Sequence, residues 1–533
     1  MPAPGPGALA PLRERVFAVL WGATVLGNIG SFMRDVASGW LATELSTNPA
    51  AVAAVQAAAA LPIFLFAIPA GVLSDILDRR RFLIAVQVLL AAVSATLMVL
   101  SATGALGLDS LLALTFVGGL GAALMGPTWQ AIVPALVPRA QLRSAVALNS
   151  LGVNISRAIG PAAGGALLAA FGAATTYGVD LLTYVLVIAA LWWWRPLVAP
   201  HDPLAEQFVG ALQAGLRFTL AHVPLHRVLW RALVFFACAS AAWALLPLVA
   251  RQLLGGTAGF YGLMLGAVGL GAIGGALLLP RLRQRLPADG LMCLAAVLSA
   301  AVLAGLAAAP PQSLALALLL ALGAAWIVAL TTLSALTQSI LPDWVRGRGL
   351  SVYLTVLNGA LAAGSLGWGA VAQGMGLRYT LLLAAAVMAL AALLVQRWPL
   401  PAGEDAMDTA HHWPAPPRAT ELAQHRGPVL VLVDYRVAPA DRAALVDLLH
   451  QLSQHRRSDG ASAWGLTEDS VDPQRLVEWF FVASWAEHLR QHQRVTRAAA
   501  ALQARAGRLH LGPDPPQVQH LVAMSPTTLE SRT

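Results

Sequence analysis

From Val16 onward the chain reads as long apolar runs broken by short polar stretches. A helix needs about 20 predominantly apolar residues to cross a bilayer, and runs of that length lie at 16–41, 49–73, 82–102, 109–135, 144–169 and 172–194. A more polar stretch, Arg195 to Arg227, follows and contains Pro200, His201, Asp202, Pro203 and Glu206. Six further runs lie at 228–250, 257–279, 289–309, 312–338, 349–373 and 377–397. The pattern predicts an all-α membrane protein of twelve transmembrane helices in two six-helix halves.

After Leu400 the period changes. Ala402 to Pro417 is rich in Pro, Ala, His and acidic residues, as linkers are. PVLVLVDYRV then alternates like a strand and ADRAALVDLLHQLSQH has the stripe of an amphipathic helix. Ala461 to Thr467 and RLVEWFFVASW read as strands, WAEHLRQHQRVTRAAAALQARA as a second helix and QVQHLVAM as a last strand. The order βαββαβ predicts a C-terminal α+β ferredoxin-like soluble domain.

The apolar part is internally repeated. Adding 204 to Gly71, Leu73, Arg79 and Arg81 gives Gly275, Leu277, Arg283 and Arg285. The same offset pairs Pro138 with Pro342, Asn154 with Asn358, Gly160 with Gly364, Gly165 with Gly369 and Ala166 with Ala370. A duplicated helical bundle is a usual plan of secondary transporters, with a cavity between the halves.

Composition agrees with this and narrows it. The chain is 58% apolar and only 11% charged, with a mean hydropathy of +0.68, which leaves too few charges to coat a soluble protein of 533 residues. The formal charge of +8 comes without a basic face or an aromatic RNA-binding motif, so no nucleic-acid partner is expected. There is no lysine, and a guanidinium keeps its proton, so proton coupling must use a carboxylate or histidine. Arg13 and Arg15, Arg79 to Arg81, Arg139 and Arg143, Arg195 to Arg231, Arg281 to Arg285, and Arg346 and Arg348 fall on one set of loops. The alternate loops offer only Arg251 and Arg378. By the positive-inside rule the rich side, with both termini and the central loop, is cytoplasmic. Cys238 and Cys293 lie in apolar runs and form no CxxC motif, and no metal or cofactor is expected. The first apolar run outlasts a signal peptide and reads as a retained helix. No Walker motif is present, which disfavours ATP-driven pumping.

Four groups of residues stand out against this background. In GVLSDILDRRR, Gly71 and Asp75 share a helix face ahead of Arg79, Arg80 and Arg81. Asp75 can latch one conformation by meeting Arg139 or Arg143, or it can simply end a solvated helix. In the first run Arg34 and Asp35 approach the bilayer, either as a functional pair or as charges that snorkel to the interface. Asp35 is the first proton-carrier candidate. In ALNSLGVNISRAIGPAAGGALL, Ser150, Asn154, Arg157 and Pro161 share one face, which suits a watery cavity better than lipid. Gly160, Pro161, Gly164 and Gly165 permit close helix packing or a bend there. Asp180, in YGVDLLTYVL, is the second buried carboxylate, either a proton carrier or a hydrogen-bonded structural residue.

GVLSDILDRRR resembles the loop motif between the second and third helices of the major facilitator superfamily, and GPAAGG resembles the fifth-helix motif of its exporters. GPTWQAIVPALVP followed by LRSAVALNSLGVNISRAIGPAAGG is similar to the transmembrane secretion effector branch, related to enterobactin exporters and macrolide efflux proteins. The loop motif departs from the superfamily pattern at Ile76, where a basic residue is common, and at Asp78, where glycine is common. The resemblance implies a multi-pass exporter of the bacterial inner membrane, driven by proton antiport with alternating access, and no catalytic residues. Its tail resembles dimeric antibiotic-biosynthesis monooxygenase folds, which implies a homodimer contact or regulation. The competing reading is a membrane-anchored ligand-binding or monooxygenase-like enzyme using Trp464, His488 and His492 of the tail. The organisation expected is a six-helix bundle over 1–195, a cytoplasmic loop over 196–227, a second bundle over 228–400, a linker over 401–427, the ferredoxin-like domain over 428–524 and a tail over 525–533. The expected partners are a small amphiphilic substrate, protons and the lipid bilayer.

Overall fold

The computed structural model describes residues 9–195, 222–341, 346–401, 427–458, 460–494, 497–512 and 514–523. Most of the expected central loop, the linker and the final tail lie outside the described residues. The chain divides into two compact units, one of 1–205, 228–335 and 351–400 and the other of 206–227, 336–350 and 401–533, the last of which holds a C-terminal domain.

Eleven helices among the described residues are long and apolar enough to cross a membrane. They are α1 (Arg15–Leu45), α2 (Pro49–Ile76), α3 (Arg79–Ala102), α4 (Leu108–Leu136), α5 (Leu142–Trp193), α6 (Val223–Leu248), α7 (Ala258–Arg283), α8 (Ala288–Ala307), α9 (Gln312–Ser339), α10 (Arg346–Met375) and α11 (Leu377–Leu394). Polar caps set several starts. Asn48 accepts from the Ala50 amide at 2.9 Å ahead of α2, and Asp78 accepts from the Arg81 amide at 2.8 Å ahead of α3. Asp78, one of the two departures from the superfamily loop pattern, thus has a local task as the cap of α3. Leu277, Phe171 and Leu393 are among many large apolar side chains on the bundle's outside, a surface that calls for hydrocarbon around it.

The sequence pattern separates 144–169 from 172–194, whereas α5 runs through 52 residues. Taken straight it would be about 78 Å long, over twice the hydrocarbon thickness. It is in fact two arms joined at Gly172, whose φ of 79° and ψ of 177° leave helical space. Contacts with α1 give the direction of each arm. Trp21 donates to the Leu148 carbonyl at 2.9 Å, Ser156 to the Val25 carbonyl at 3.0 Å, and a Cβ on Gly164 would lie 2.7 Å from Met33 Cα. The first arm therefore ascends with α1. On the second arm Val187 lies against Gly27, Thr183 against Gly30 and Tyr177 against Ser38, so it descends. Gly376, 204 residues after Gly172, has φ of 82° and separates α10 from α11. The repeat holds elsewhere too: 108–136 plus 204 is 312–340, against Gln312–Ser339 observed, and 142–171 plus 204 is 346–375, the span of α10.

Within the second half Asp289, in the first turn of α8, accepts from Arg231 at 2.5 Å and from the Leu400 amide at 3.1 Å. Arg231 also donates to the Trp398 carbonyl at 3.2 Å, so this ion pair ties down the end of the bundle.

The C-terminal unit contains a four-stranded antiparallel sheet of β1 (Val429–Arg436), β2 (Ala461–Glu468), β3 (Arg475–Val482) and β4 (Gln517–Val522), in the order β2-β3-β1-β4. Its helices are α12 (Arg442–Ser458), α13 (Trp485–Arg494) and α14 (Arg497–Arg508). The alternation read from the sequence is real: Val429, Val431, Val433 and Tyr435 are buried, and they pack with Leu445, Leu449 and Leu452 of α12. The expected second helix is described in two stretches, Trp485–Arg494 and Arg497–Arg508, with 495–496 outside the described residues.

The core of this domain encloses an ion pair. Arg456 on α12 meets Glu478 on β3 at 3.2 Å, Trp464 donates to the same carboxylate at 3.0 Å, and the guanidinium lies 4.9 Å from the Phe480 ring. Glu478 is fully buried. Glu478→Ala leaves a buried guanidinium without its carboxylate and is expected to destabilise the domain by about 3–5 kcal/mol. Limited proteolysis of the full chain should then cut within 427–523 much faster; an unchanged cleavage rate would count against the pair's structural weight.

Candidate functional site

Polar side chains gather where the second arm of α5 packs against both α1 and α3. Ser31, Arg34 and Ser38 recur along one face of α1, and Tyr177, Asp180 and Tyr184 recur at spacings of three and four along the facing arm. The glycines of α1 bring the two faces together. A Cβ on Gly27 would lie 3.0 Å from Val187, and one on Gly30 would lie 2.8 Å from Asp180 Oδ1. Larger residues at 27 and 30 would hold the arms apart.

Asp180 is the centre of the group. It is fully buried, accepts from Ser94 of α3 at 2.6 Å through Oδ2, and has Arg34 Nη1 at 3.7 Å from the same oxygen. Its Oδ1 has no hydrogen-bond partner. Arg34 also donates to the Tyr184 hydroxyl at 2.9 Å and to Asp35 at 3.3 Å. Ser31 shares a hydrogen bond of 2.9 Å with Tyr184, and Ser38 one of 3.1 Å with Tyr177. A buried ion pair gains from Coulomb attraction only what it does not lose to desolvation, so its partners must stay well placed. Here a guanidinium is divided between a buried carboxylate and an outer one, since the Asp35 side chain is 60% exposed and that of Asp180 is 0% exposed. This arrangement allows Arg34 to exchange one partner for the other.

Beside Tyr184 lies a narrow cleft lined by Thr24, Asn28, Ser31, Gln87, Met125 and Trp129. Its enclosed part has room for roughly one water molecule. Gln87 donates to Met125 Sδ at 3.1 Å and leaves its buried Oε1 unpartnered, while Trp129 donates to Asn149 at 2.9 Å.

The fifth-helix motif lies between the halves. Gly164 and Gly165 are neighbours in sequence and face opposite ways. A Cβ on Gly164 would press on α1, whereas one on Gly165 would lie 2.6 Å from Gly262 Cα of α7. Gly160 meets α1 as well, with its would-be Cβ 2.7 Å from Phe32 Cβ. Pro161 has no amide hydrogen to give the Arg157 carbonyl four residues back, and that oxygen would lie 2.6 Å from a Cβ on Gly269. A second contact between halves forms where α6 ends in a short π-helical turn, Val249–Leu253. There Arg251 donates to Thr43 of α1 at 3.1 Å and stands 5.8 Å from the Trp40 ring, which stacks on Tyr261 of α7.

The other sequence candidates fall as follows. Asn154 donates to the Ser150 carbonyl of its own helix at 2.9 Å, as Asn358 does to Leu354 in the second half. Arg157 is partly exposed on the same arm. The side chains of Gly71, Asp75, Arg139 and Arg143 lie outside the described residues. Arg80 donates to the Leu191 and Trp192 carbonyls, both at 2.8 Å, and so caps the end of the second arm of α5 as a cation should. Arg79 is exposed. In the tail, Trp464 serves Glu478, His488 packs with Trp485 and His520, and the His492 side chain lies outside the described residues. Among the described residues no group of three or more His, Cys, Asp or Glu is placed to hold a metal ion. Sequence reasoning passed over Ser31, Ser94, Tyr177, Tyr184 and Gln87. The one signal available was the repetition of Tyr, Asp and Tyr at 177, 180 and 184 inside an apolar run.

Comparison with known proteins gives these likenesses. A family model described as "Transmembrane secretion effector" matches residues 6–528. The chain is 24% identical to the staphyloferrin A transporter of Staphylococcus aureus over 342 residues, which are 63% of this chain and 85% of that one. It is 31% identical to the enterobactin exporter EntS of Salmonella typhimurium over 305 residues, 56% of this chain and 72% of that one. It is 22% identical to macrolide efflux protein A of Streptococcus pyogenes over 243 residues, 45% and 60% of the two chains. Among solved structures, a bacterial homologue of the lysosomal transporter Spinster, in an inward-facing and unoccupied conformation, superposes with a TM-score of 0.58 at 15% identity, covering 73% of this chain and 97% of that one. A D-xylose–proton symporter superposes with a TM-score of 0.57 at 15% identity, covering 74% and 99%.

Proposed function

The chain belongs to the transmembrane secretion effector branch of the major facilitator superfamily, and on that premise we propose that it exports a small amphiphilic molecule of the siderophore or drug kind in exchange for protons. The family is one of transporters, so the chain is a multi-pass membrane efflux protein and not an enzyme. Its spans are twelve on this reading, because Gly172 stands where Gly376 stands in the second half and the arms of α5 run in opposite directions. The arginine-rich ends and both termini face the cytoplasm of a bacterial inner membrane. The C-terminal domain is a ferredoxin-like plait, an assignment supported by its strand order and its βαββαβ succession; it is the surface through which a homodimer would form.

The observation that carries proton exchange is the fully buried carboxylate of Asp180, held by a guanidinium that has a second, exposed partner in Asp35. As the halves rock, Arg34 turns from Asp180 to Asp35, the buried carboxyl takes up a proton, and the return releases it. Alternating access follows from contacts made between backbones at glycine, which separate cleanly because no side chains interlock there. The Asp75 latch belongs to the same cycle. The enclosed cleft by Tyr184 is far smaller than the 300–1,000 Å³ typical of drug-sized ligands. Substrate therefore uses space opened between the halves and reaches the cleft with one polar group at most.

The test is transport by inside-out vesicles with an acidic lumen, loaded externally with staphyloferrin A, enterobactin or a macrolide. Accumulation of at least one of them is expected, with collapse on addition of a protonophore. Movement of solute that ignores the protonophore would remove proton exchange, and movement of none under any imposed ion gradient would remove export.

A further inference from the structure

The C-terminal domain holds a cluster of polar side chains that export does not employ. Ser484 accepts from the Glu487 amide at 3.2 Å and so begins α13. Trp485, His488 and Gln491 then follow at intervals of three along one helix face. His520 meets them from β4, where it pairs with the buried Val431 and so points to the helix side of the sheet. The His488 and His520 rings are 4.6 Å apart between centroids, and Trp485 lies 5.4 Å from the first and 5.8 Å from the second.

Gln491 and the Nε2 atom of His520 are enclosed and unsatisfied. His488 is 0% exposed and Gln491 2%. Neither the oxygen nor the nitrogen of the Gln491 amide has a hydrogen-bond partner, and the enclosed Nε2 of His520 has none either. A buried polar group left unpaired costs about 1–3 kcal/mol, and native interiors leave few of them. Three such atoms beside rings set tilted and edge-on to one another call for an occupant.

The chemistry selects among occupants. A structural metal site takes four ligands, and the two imidazoles have no third His, Cys, Asp or Glu placed with them among the described residues. An anion is disfavoured because burial pushes His520 below the usual imidazole range, which removes its positive charge. A neutral molecule with a donor beside an acceptor matches both ends of the Gln491 amide, and a flat one suits the ring faces. We propose that Trp485, His488, Gln491 and His520 form a binding site for an uncharged planar molecule that carries adjoining donor and acceptor groups, such as a lactam or a heteroaromatic ring.

The experiment is saturation-transfer NMR on the purified full-length protein, with 2-pyridone and uracil as probes and with benzene, benzoate and Zn²⁺ as comparisons. The two lactam probes should bind and the comparisons should not. Gln491→Leu and His520→Phe should each raise the half-saturating probe concentration by about tenfold or more, the factor that one lost buried hydrogen bond to a ligand is worth. Gln491→Leu should leave the domain's melting temperature unchanged or higher, because it removes two unsatisfied polar atoms. Equal binding by the wild type and Gln491→Leu, or no binding at all, overturns the site. So does Zn²⁺ binding that His520→Phe abolishes while the lactams are ignored, and so does a melting temperature that falls in Gln491→Leu, which would give the amide a structural role.

Discussion

Asp180→Asn is expected to lower proton-driven efflux by about tenfold or more, the equivalent of 1.4 kcal/mol in the coupled step, while the protein stays in the membrane. Asparagine keeps the shape of the side chain and can still accept from Ser94. What it loses is the charge that holds Arg34 and the capacity to carry a proton. The partner substitution behaves differently. Arg34→Gln strands a fully buried carboxylate, and removing one member of a buried pair costs about 3–5 kcal/mol. Its abundance in the membrane should fall. The double variant Arg34→Gln/Asp180→Asn contains neither uncompensated charge, so its abundance and detergent melting temperature should return toward the wild type while proton-driven efflux stays lost. Quantitative immunoblots, melting curves and vesicle transport separate the three cases. Wild-type efflux by Asp180→Asn under a pH gradient would sink the proposed role of this carboxylate, and a double variant no more abundant than Arg34→Gln would show that charge pairing is not what the site contributes to folding.

Asp35→Asn supplies the comparison. Its side chain is the exposed partner of Arg34, and surface ion pairs contribute about 0–1 kcal/mol. On the proposed mechanism Asp180 ranks ahead of Asp35, the reverse of the order that sequence suggests. Reading along the chain places Arg34 beside Asp35 because they are adjacent, and nothing local reveals that Asp180, 146 residues away, lies against the same guanidinium. The same limit operates in the tail. Helical spacing offers His492 as the companion of His488, and the fold adds His520 from the far end of the domain, which no spacing foretells. It also explains Arg80, which reads as part of a loop motif and is engaged with carbonyls at the end of α5. What was legible is whatever depends on a solvent boundary or a short period. Apolar length marked the spans, two-residue alternation marked β1 and β3, and the offset of 204 read from other pairs extends in the structure to Gly172 and Gly376, which share a left-handed backbone. Partners across helices carry no such signature, because the apolar surroundings that make them costly are supplied by other segments.

Gly165→Ala and Gly262→Ala should each move the protein out of the arrangement described here, in which α5 and α7 touch backbone to backbone. A methyl on either glycine would stand 2.6 Å from the other's Cα, and Gly262's would also stand 2.7 Å from the Pro161 carbonyl. Carbon atoms rest at about 3.5–4.0 Å, so the helices must part by about 1 Å, and there is no side chain in the way that can rotate to spare them. The contacts between halves at Arg251, Thr43, Trp40 and Tyr261 lie at the same end of the bundle, and parting α5 from α7 pulls on them as well. The population of the closed arrangement should fall by about tenfold or more, since a ligand or substitution shifts a two-state equilibrium by its full energy difference between the states. Spin labels on Ser46→Cys and Gln252→Cys, in a background without Cys238 and Cys293, report this directly: the distance distribution should lengthen in both glycine variants, with efflux reduced alongside. Gly274→Ala lies on the same helix in open space, with nothing within 4 Å of its would-be Cβ, and should leave both the distances and efflux unchanged. If Gly262→Ala matched Gly274→Ala in both measurements, the two backbones would not need to meet for the cycle to run, and the glycines would be filling space rather than permitting closure.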